Sequence, residues 1–537
     1  MSNRIRSWIC MVTALAGAGG GAAIAATTAA STGPAAQAPL AAIVVTAEKR
    51  SEKLQDVPAA VSVITGAQLG RAAAVNIEGL LNQVPGVTFH KGDIPFNTSL
   101  FLRGVGTINF ALGAEPSVGY VVDGVVMGTS GQAFGDLVDV ARIEVIPGPQ
   151  GTLFGKNSSA GVINVVSVMP SHHFGGDFDL SYFEGNEVRS KASLDLPITD
   201  HLLTRTTVFA GRYDGNITNL YQQSTNSPMG KINGYDHRGI RSIWKWMPTD
   251  DLTFTAIGFW RESDDNCCAF VPGTPPGTPP GGTSPTSVAL TNLLGPIGYQ
   301  GDRTRTVNTN MVTRSLERER GLSLQTDWDL NGYTLTNIAA YRYWWFNEIR
   351  DGDNLAVTAP YVGGAFTQVH DIGPQTTSTF TEEMRLTSPA HQFFEYVAGL
   401  FYYHNVQNRY FERDDVVCTA STLAPDATGA TPCMPGLSTY ATPSANATFG
   451  ANSINVAAYG QGTLHFTHTF RGIIGLRETH DELAMYHDYN LSAVGGGGVI
   501  SANCSPQPLC LPFQGRASTS HSNLSGKLGV QWDMTPN

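Results

Sequence analysis

The chain has 537 residues, 42% of them hydrophobic and 14% charged, with a formal net charge of −11. Beyond residue 30 no run approaches the ~20 apolar residues of a membrane-spanning helix, and no clustered Lys/Arg surface suited to phosphate binding is found, which argues against a helical membrane protein and a nucleic-acid partner. With 59 Gly, 30 Pro and many Thr, Tyr and Asn, the composition favours strands, turns and long loops, so a mostly β chain is expected.

Residues 1–28 read as a secretory signal peptide. Arg4 and Arg6 form a basic start, Trp8 to Ala18 is a short apolar run, and Ala23-Ile24-Ala25 is a small-x-small cleavage pattern. A membrane anchor is the rival reading, disfavoured because Gly17 to Gly21 would weaken a spanning helix. A Thr/Ala/Pro-rich linker follows and takes in Ile43-Val44-Val45-Thr46-Ala47, within residues 29–51. These five residues have high β-propensity beside a low-complexity segment, so they read as a strand without a neighbour that seeks a partner's sheet edge. An ordinary first strand of the next domain is the other reading.

Residues 52–170 read as a compact α/β domain. Thr65 and Gln68 have capping-box spacing; Ile77, Leu80, Leu81 and Val84 recur at helical intervals after Asn76, before Pro85-Gly86. Short strands are expected at Val61 to Ile64, Val87 to Phe89, Leu100 to Arg103, Val118 to Val122, Ile143 to Ile146 and Val162 to Val168. Gly104, Gly106, Gly124, Gly148, Gly151, Gly155 and Gly161 punctuate them at expected turns or close approaches. Arg103-Gly104-Val105-Gly106 is not a dinucleotide motif, since no third Gly opens a helix after it.

At this point a resemblance becomes specific. Ile43 to Ala47 resembles a TonB box, and it precedes Asp56-Val57-Pro58, Leu81 to Val87, Leu102-Arg103-Gly104, Asp123-Gly124-Val125 and Arg142 to Val166. In this order these segments resemble the plug signatures of TonB-dependent outer-membrane receptors, with Arg103, Gly104, Asp123, Gly124, Arg142, Glu144, Gly148, Gly151, Gly155 and Gly161 as the motif residues. The resemblance implies a plugged transmembrane β-barrel in the outer membrane of a Gram-negative bacterium, in contact with its lipid. It also implies energy from an inner-membrane TonB protein through Ile43 to Ala47, and uptake of a scarce nutrient. The commonest cargo in the family is an iron chelate such as a ferric siderophore, with vitamin B12 and oligosaccharide as alternatives. One position departs: Pro147 stands where the family usually carries an Arg before Gly-Pro, so that ionic contact is lost and looser seating of the plug is expected.

From residue 171 onward the texture changes to alternating strands of about 9 to 12 residues, the length that crosses a bilayer at a tilt. Val188, Ser190, Ala192, Leu194 and Leu196 share one face, while Glu187, Arg189, Lys191, Ser193 and Asp195 share the other. Strands are read near 176–184, 187–196, 202–213, 238–247, 252–262, 319–330, 333–346, 376–387, 394–405, 453–465, 469–482 and 522–533. Short turns alternate with loops near 214–237, 263–318, 347–375, 406–452 and 483–521, the pattern of short periplasmic and long outer connections. Trp244, Trp246, Trp260, Tyr341, Tyr343, Trp344 and Trp345 suit an interfacial girdle, with core packing as the alternative for each. Plugged transporters have ~22 strands, so this antiparallel barrel is expected to be C-terminally incomplete at residue 537.

The six cysteines beyond Cys10 form no CxxC and no zinc-spaced set. Disulfides Cys418–Cys433 and Cys504–Cys510, each within one outer loop, are the expectation, with a soft metal site as the alternative; the pairing of Cys267 and Cys268 stays open. Enzyme signatures such as G-x-S-x-G, H-E-x-x-H or paired carboxylates are not found, and neither a cofactor nor a metal is expected. An open porin and a signalling receptor are the remaining alternatives.

Overall fold

The computed structural model describes residues 43–74, 76–81, 84–92, 97–108, 112–224, 227–266, 271, 303–309, 313–351, 361–362, 368–418, 431–432, 438–491 and 513–534. The expected signal peptide, Cys267, Cys268, Cys433, Cys504 and Cys510 lie outside them. Cys418 is the last residue of its strand. No described helix is long and apolar enough to cross a membrane.

The N-terminal domain is built on strands β1 (Val44–Val45), β2 (Glu52–Lys53), β3 (Ser62–Thr65), β4 (Val87–His90), β5 (Ser99–Leu102), β6 (Val105–Gly106), β7 (Val118–Val122), β8 (Val125–Val126), β9 (Val140–Pro147) and β10 (Gly161–Ser167). A five-stranded sheet of order β3-β9-β10-β7-β8 forms its centre, with β10 parallel to β7 and the other pairs antiparallel. Helix α1 (Gly66–Arg71) starts where the capping box places it: the Thr65 hydroxyl accepts from the Gln68 amide at 3.3 Å, and the Gln68 side chain accepts from Thr65 N–H at 2.8 Å. The helix expected after Asn76 is a single turn, α2 (Glu78–Leu81). Gly79 interrupts a segment already too short to hold a helix by itself. Ile77 and Val84 still join the core, with Leu69, Leu100, Leu102, Ile143 and Ile163.

Twelve strands follow in one antiparallel sheet whose spatial order is the chain order. They are β11 (Gly175–Phe183), β12 (Glu187–Thr199), β13 (Leu202–Tyr213), β16 (Tyr235–Thr249), β17 (Leu252–Asp265), β19 (Arg314–Leu330), β20 (Tyr333–Asp351), β22 (Gln368–Thr387), β23 (Phe394–Cys418), β25 (Ser438–His465), β26 (Phe470–Leu491) and β27 (Phe513–Trp532). Strands β14 (Ile217–Ser224) and β15 (Ser227–Ile232) make a hairpin in a segment expected to be loop. Short strand β18 (Thr306–Val307) pairs with β14, and β21 (Tyr361–Val362) pairs with β24 (Thr431–Pro432). A small apolar cluster of Ile217, Ile232 and Val307 stabilises the hairpin, and nothing in its local alternation announces it.

Period-two alternation sets which face each strand shows. Phe178, Leu180, Val188, Leu322, Leu324, Leu476 and Leu528 lie exposed on the convex side; Thr207, Ser315, Glu319, Thr377 and Asn405 are buried on the concave side. Strands from β12 to β27 touch the N-terminal domain, so the sheet curves around it. Short turns gather at one end, including Asn331-Gly332, whose φ values of 58° and 88° fit a type I′ hairpin. Trp244, Trp246, Trp260 and Tyr341 face outward; Trp344 does not. As the neighbour of Trp345 it must point to the other side, where it stacks on Phe346 at 5.7 Å and donates to Glu317 at 3.2 Å. Strands β11 and β27 are the edges of this sheet and pair with no other described strand on their outer sides.

Candidate functional site

Segment 44–47 lies toward the end of the wall where the short turns gather, since Arg50, three residues on, contacts Ser388 and Glu395 at the 388–393 turn. It does have a neighbour: Val44 and Val45 pair antiparallel with Lys53 and Glu52 of β2. Polar β2 is no obvious partner in sequence, so the expectation of a strand without one is corrected. Ile43 and Val44 are exposed, whereas Val45 and Ala47 are buried in a cluster with Ile146, Leu153, Phe154 and Tyr459.

A carboxylate without solvent exposure holds this segment in place. Glu144 accepts from Thr46 N–H at 2.9 Å, from the Thr46 hydroxyl at 3.2 Å, from Arg142 Nε at 2.7 Å and from the Asn164 amide at 3.1 Å. Glu144 and Asn164 face each other across the β9–β10 ladder, so the central sheet positions both. Two cations next along the chain fix the segment to the wall. Lys49 donates to both oxygens of Glu383 at 2.6 and 2.5 Å, and Arg50 donates to Glu395 at 2.7 Å. Burial pushes the Lys49 ammonium down to about 8 against the pull of Glu383, and burial together with Glu48 pushes the Glu52 carboxyl up to about 7.

Further ion pairs seat the N-terminal domain within the wall. Arg205 of β13 grips Asp139 in a bidentate pair at 2.6 and 2.8 Å. Arg241 of β16 pairs with Asp123, which also accepts from Ser167 N–H at 2.8 Å. His237 bridges Asp136 and Asp265 at 2.9 and 2.8 Å. At the other end, Lys156 contacts Glu115 and Asp481, Leu112 packs beside Trp344 and Phe346, and Gln407 donates to the Leu112 carbonyl at 3.1 Å. Among these contacts a cavity of about 80 Å³ remains, lined by Tyr120, Gln132, Arg241, Arg261, Glu319 and Arg342. That is well below the ~300 Å³ at which ligand pockets begin, so this cavity holds no molecule of chelate size.

Two family models match this architecture: the TonB-dependent receptor plug domain over residues 53–162, and the TonB-dependent receptor-like β-barrel over residues 269–537. The chain belongs to the TonB-dependent receptors. The pesticin receptor of Yersinia pestis is 31% identical over 199 residues, 37% of this chain and 28% of that relative. The ferripyoverdine receptor of Pseudomonas aeruginosa is 26% identical over 161 residues, 29% of this chain and 19% of the relative. In fold, the receptor is similar to the ferric yersiniabactin uptake receptor of Yersinia pestis, with a TM-score of 0.68 at 18% identity, across 89% of this chain and 62% of that one. The receptor spans less than two thirds of the length of each of these three.

The plug motifs of the receptor divide by what they do. Arg103-Gly104 and Asp123-Gly124 are the two-residue turns of the β5–β6 and β7–β8 hairpins. Arg142 and Glu144 belong to the box contact. Gly148 lies in the turn after β9, where its N–H donates to the Ala160 carbonyl at 2.9 Å; for Gly151 the structure shows no steric need. Gly155 and Gly161 are required. Gly155 has φ of 68° and a Cβ there would lie 2.3 Å from the Arg477 guanidinium; Gly161 has φ of 142° and a Cβ there would lie 2.4 Å from the Ile146 carbonyl oxygen. Pro147 supplies no ionic contact; the ionic contacts of the plug with the wall run through Lys49, Asp123, Asp136, Asp139 and Lys156. Lys49, Arg205, His237 and Arg241 were not legible as site residues, because each meets a partner across the plug–wall interface that no local pattern encodes.

Proposed function

We propose that the protein is an outer-membrane transporter that imports an iron chelate, a ferric siderophore foremost, using energy delivered by TonB to residues 43–47. The observation that carries this reading is the location of that segment: a two-residue strand held at the short-turn end of a wall that curves around the plug. An outer membrane holds no useful energy gradient, so moving a plug held by buried ion pairs needs work from outside the barrel. A short strand with an exposed Val44 suits addition to a periplasmic partner's sheet edge. The iron reading draws support from the relatives named for ferripyoverdine and ferric yersiniabactin.

In this reading residues 1–28 are the signal peptide, 29–51 the linker with the TonB box, 52–170 the plug and 171–537 barrel wall. The test is growth and labelled-chelate uptake under iron limitation, supplying single ferric siderophores to a host without its own receptors. Val44→Pro removes a backbone donor from the box, so surface binding should persist while uptake fails. Unchanged uptake by Val44→Pro would refute the coupling role. Uptake of vitamin B12 or an oligosaccharide, with none of any iron chelate, would refute the cargo.

A further inference from the structure

Polar side chains that line the plug–wall cavity are left without partners. Arg342 of β20 is only 9% exposed, yet among the described residues it makes no hydrogen bond and no ion pair. Its guanidinium stacks instead on Phe259, 4.9 Å from the ring centre. Tyr120 of β7 is 7% exposed, and its hydroxyl has no hydrogen bond among the described residues. Another donor, Nε of Arg241, is buried without an acceptor, although Nη2 of the same side chain pairs with Asp123. Buried donors left unbonded cost free energy, a charged one most of all.

The wall explains why Arg342 stands alone. Arg241, Phe259, Gly321 and Arg342 form one lumenal row across β16, β17, β19 and β20, and none of them is acidic. Gly321 leaves open the place that a side chain would fill, since a Cβ there would lie 2.5 Å from the Phe259 ring and 3.1 Å from Cγ of Arg342. The carboxylates on the cavity lining are committed elsewhere. Glu319 accepts from Arg261 at 2.6 Å and from the Gln132 amide at 2.9 Å, and Asp136 pairs with His237 at 2.9 Å. Donors are therefore in surplus around this cavity. A water relieves the surplus poorly, because it brings two donor hydrogens of its own into a lining short of acceptors. An acceptor-only species supplies what is missing, and about 80 Å³ gives a monatomic anion room.

We infer that chloride, or another halide of similar size, binds in this cavity between the Tyr120 hydroxyl and the Arg342 guanidinium. Tyr120 belongs to the plug and Arg342 to the wall, so the bound anion ties the two together. Displacing the plug must release it, and by linkage chloride binding opposes that displacement.

The test uses the full chain folded in detergent, with gluconate as the only small anion, titrated with chloride at constant ionic strength. Exchange of the β7 amides should slow roughly tenfold once chloride reaches about ten times its dissociation constant. Arg342→Gln and Tyr120→Phe should each lose most of that dependence. Arg342→Met removes the unpaired cation, so in gluconate its β7 amides should be at least as protected as those of wild type, yet indifferent to chloride. Misfolding cannot mimic that combination. Crystals of wild type grown with millimolar bromide in place of chloride should show an anomalous peak within hydrogen-bond distance of Arg342, which decides the matter even where a variant fails to fold. No chloride response in wild type, or an equal response in Arg342→Met, would overturn the inference. So would a bromide peak that is missing from the cavity or present only at molar bromide, which would mark an adventitious ion only.

Discussion

Replacing Glu144 by Gln tests whether the box is held by a specific contact or only by its place in the chain. An amide offers one acceptor oxygen where the carboxylate offers two. If that oxygen stays toward Thr46 N–H and Arg142, its NH2 group confronts the donating Asn164 amide, now 3.1 Å from Oε2; the flipped rotamer loses the bonds from Thr46 N–H and Arg142 instead. The flipped rotamer loses the box's own bond, and the other leaves Thr46 a neutral acceptor in place of a charged one; with ~1.5–3 kcal/mol for a hydrogen bond to a charged group, docking of the box should weaken by about 1–3 kcal/mol. At ~1.4 kcal/mol per decade, the undocked population should rise roughly 5- to 150-fold. Amide exchange at Val45, Thr46 and Ala47 reads this directly, with the β10 amides as an internal reference. Faster exchange confined to the box is the expected result. Unchanged exchange at the box, or equal acceleration through β10, would refute the local latch.

Removing one partner of the Lys49–Glu383 pair should be costly, because side chains only 11% and 5% exposed leave a charge in the interior. Lys49→Ala or Glu383→Ala should each lose about 3 kcal/mol or more, while the double variant should lose clearly less than their sum, by denaturant unfolding in detergent. Gly155→Ala combines a left-handed backbone with a clash against Arg477, and should lower the thermal transition or abolish the heat-modifiable form; wild-type behaviour would show that Arg477 yields freely. Glu52 holds its proton in the docked state up to about pH 7 but releases it near the ordinary carboxylate value once exposed. The stabilisation is thus present in full in acid and lost as pH rises through 7. Box amides should exchange more slowly at pH 5.5 than at pH 8, after correction for intrinsic rates, and Glu52→Gln should remove that dependence.

What the sequence made legible follows from where one physical constraint acts alone. Within the bilayer an outward side chain must be apolar and its neighbours must face the lumen, so the twelve wall strands and the turns at Asn331-Gly332 and 388–393 follow from alternation. Beyond the bilayer both faces are wet and the constraint lapses. For that reason β25 begins at Ser438 rather than near 453, β23 runs on to Cys418 rather than ending near 405, and the β14–β15 hairpin went unseen. The plug motifs were legible as turns and glycines, but their purpose was not. Glu144 meets Thr46 across 98 residues and Lys49 meets Glu383 across 334, and no local pattern encodes a pairing made at such separation. The contrast between Trp344 and Trp345 shows the boundary most sharply: composition places both in an aromatic belt, yet adjacent positions on one strand must face opposite sides, so only one of them can belong to it. Alternation decides which residues face the lumen, and the plug then decides which of those become a site.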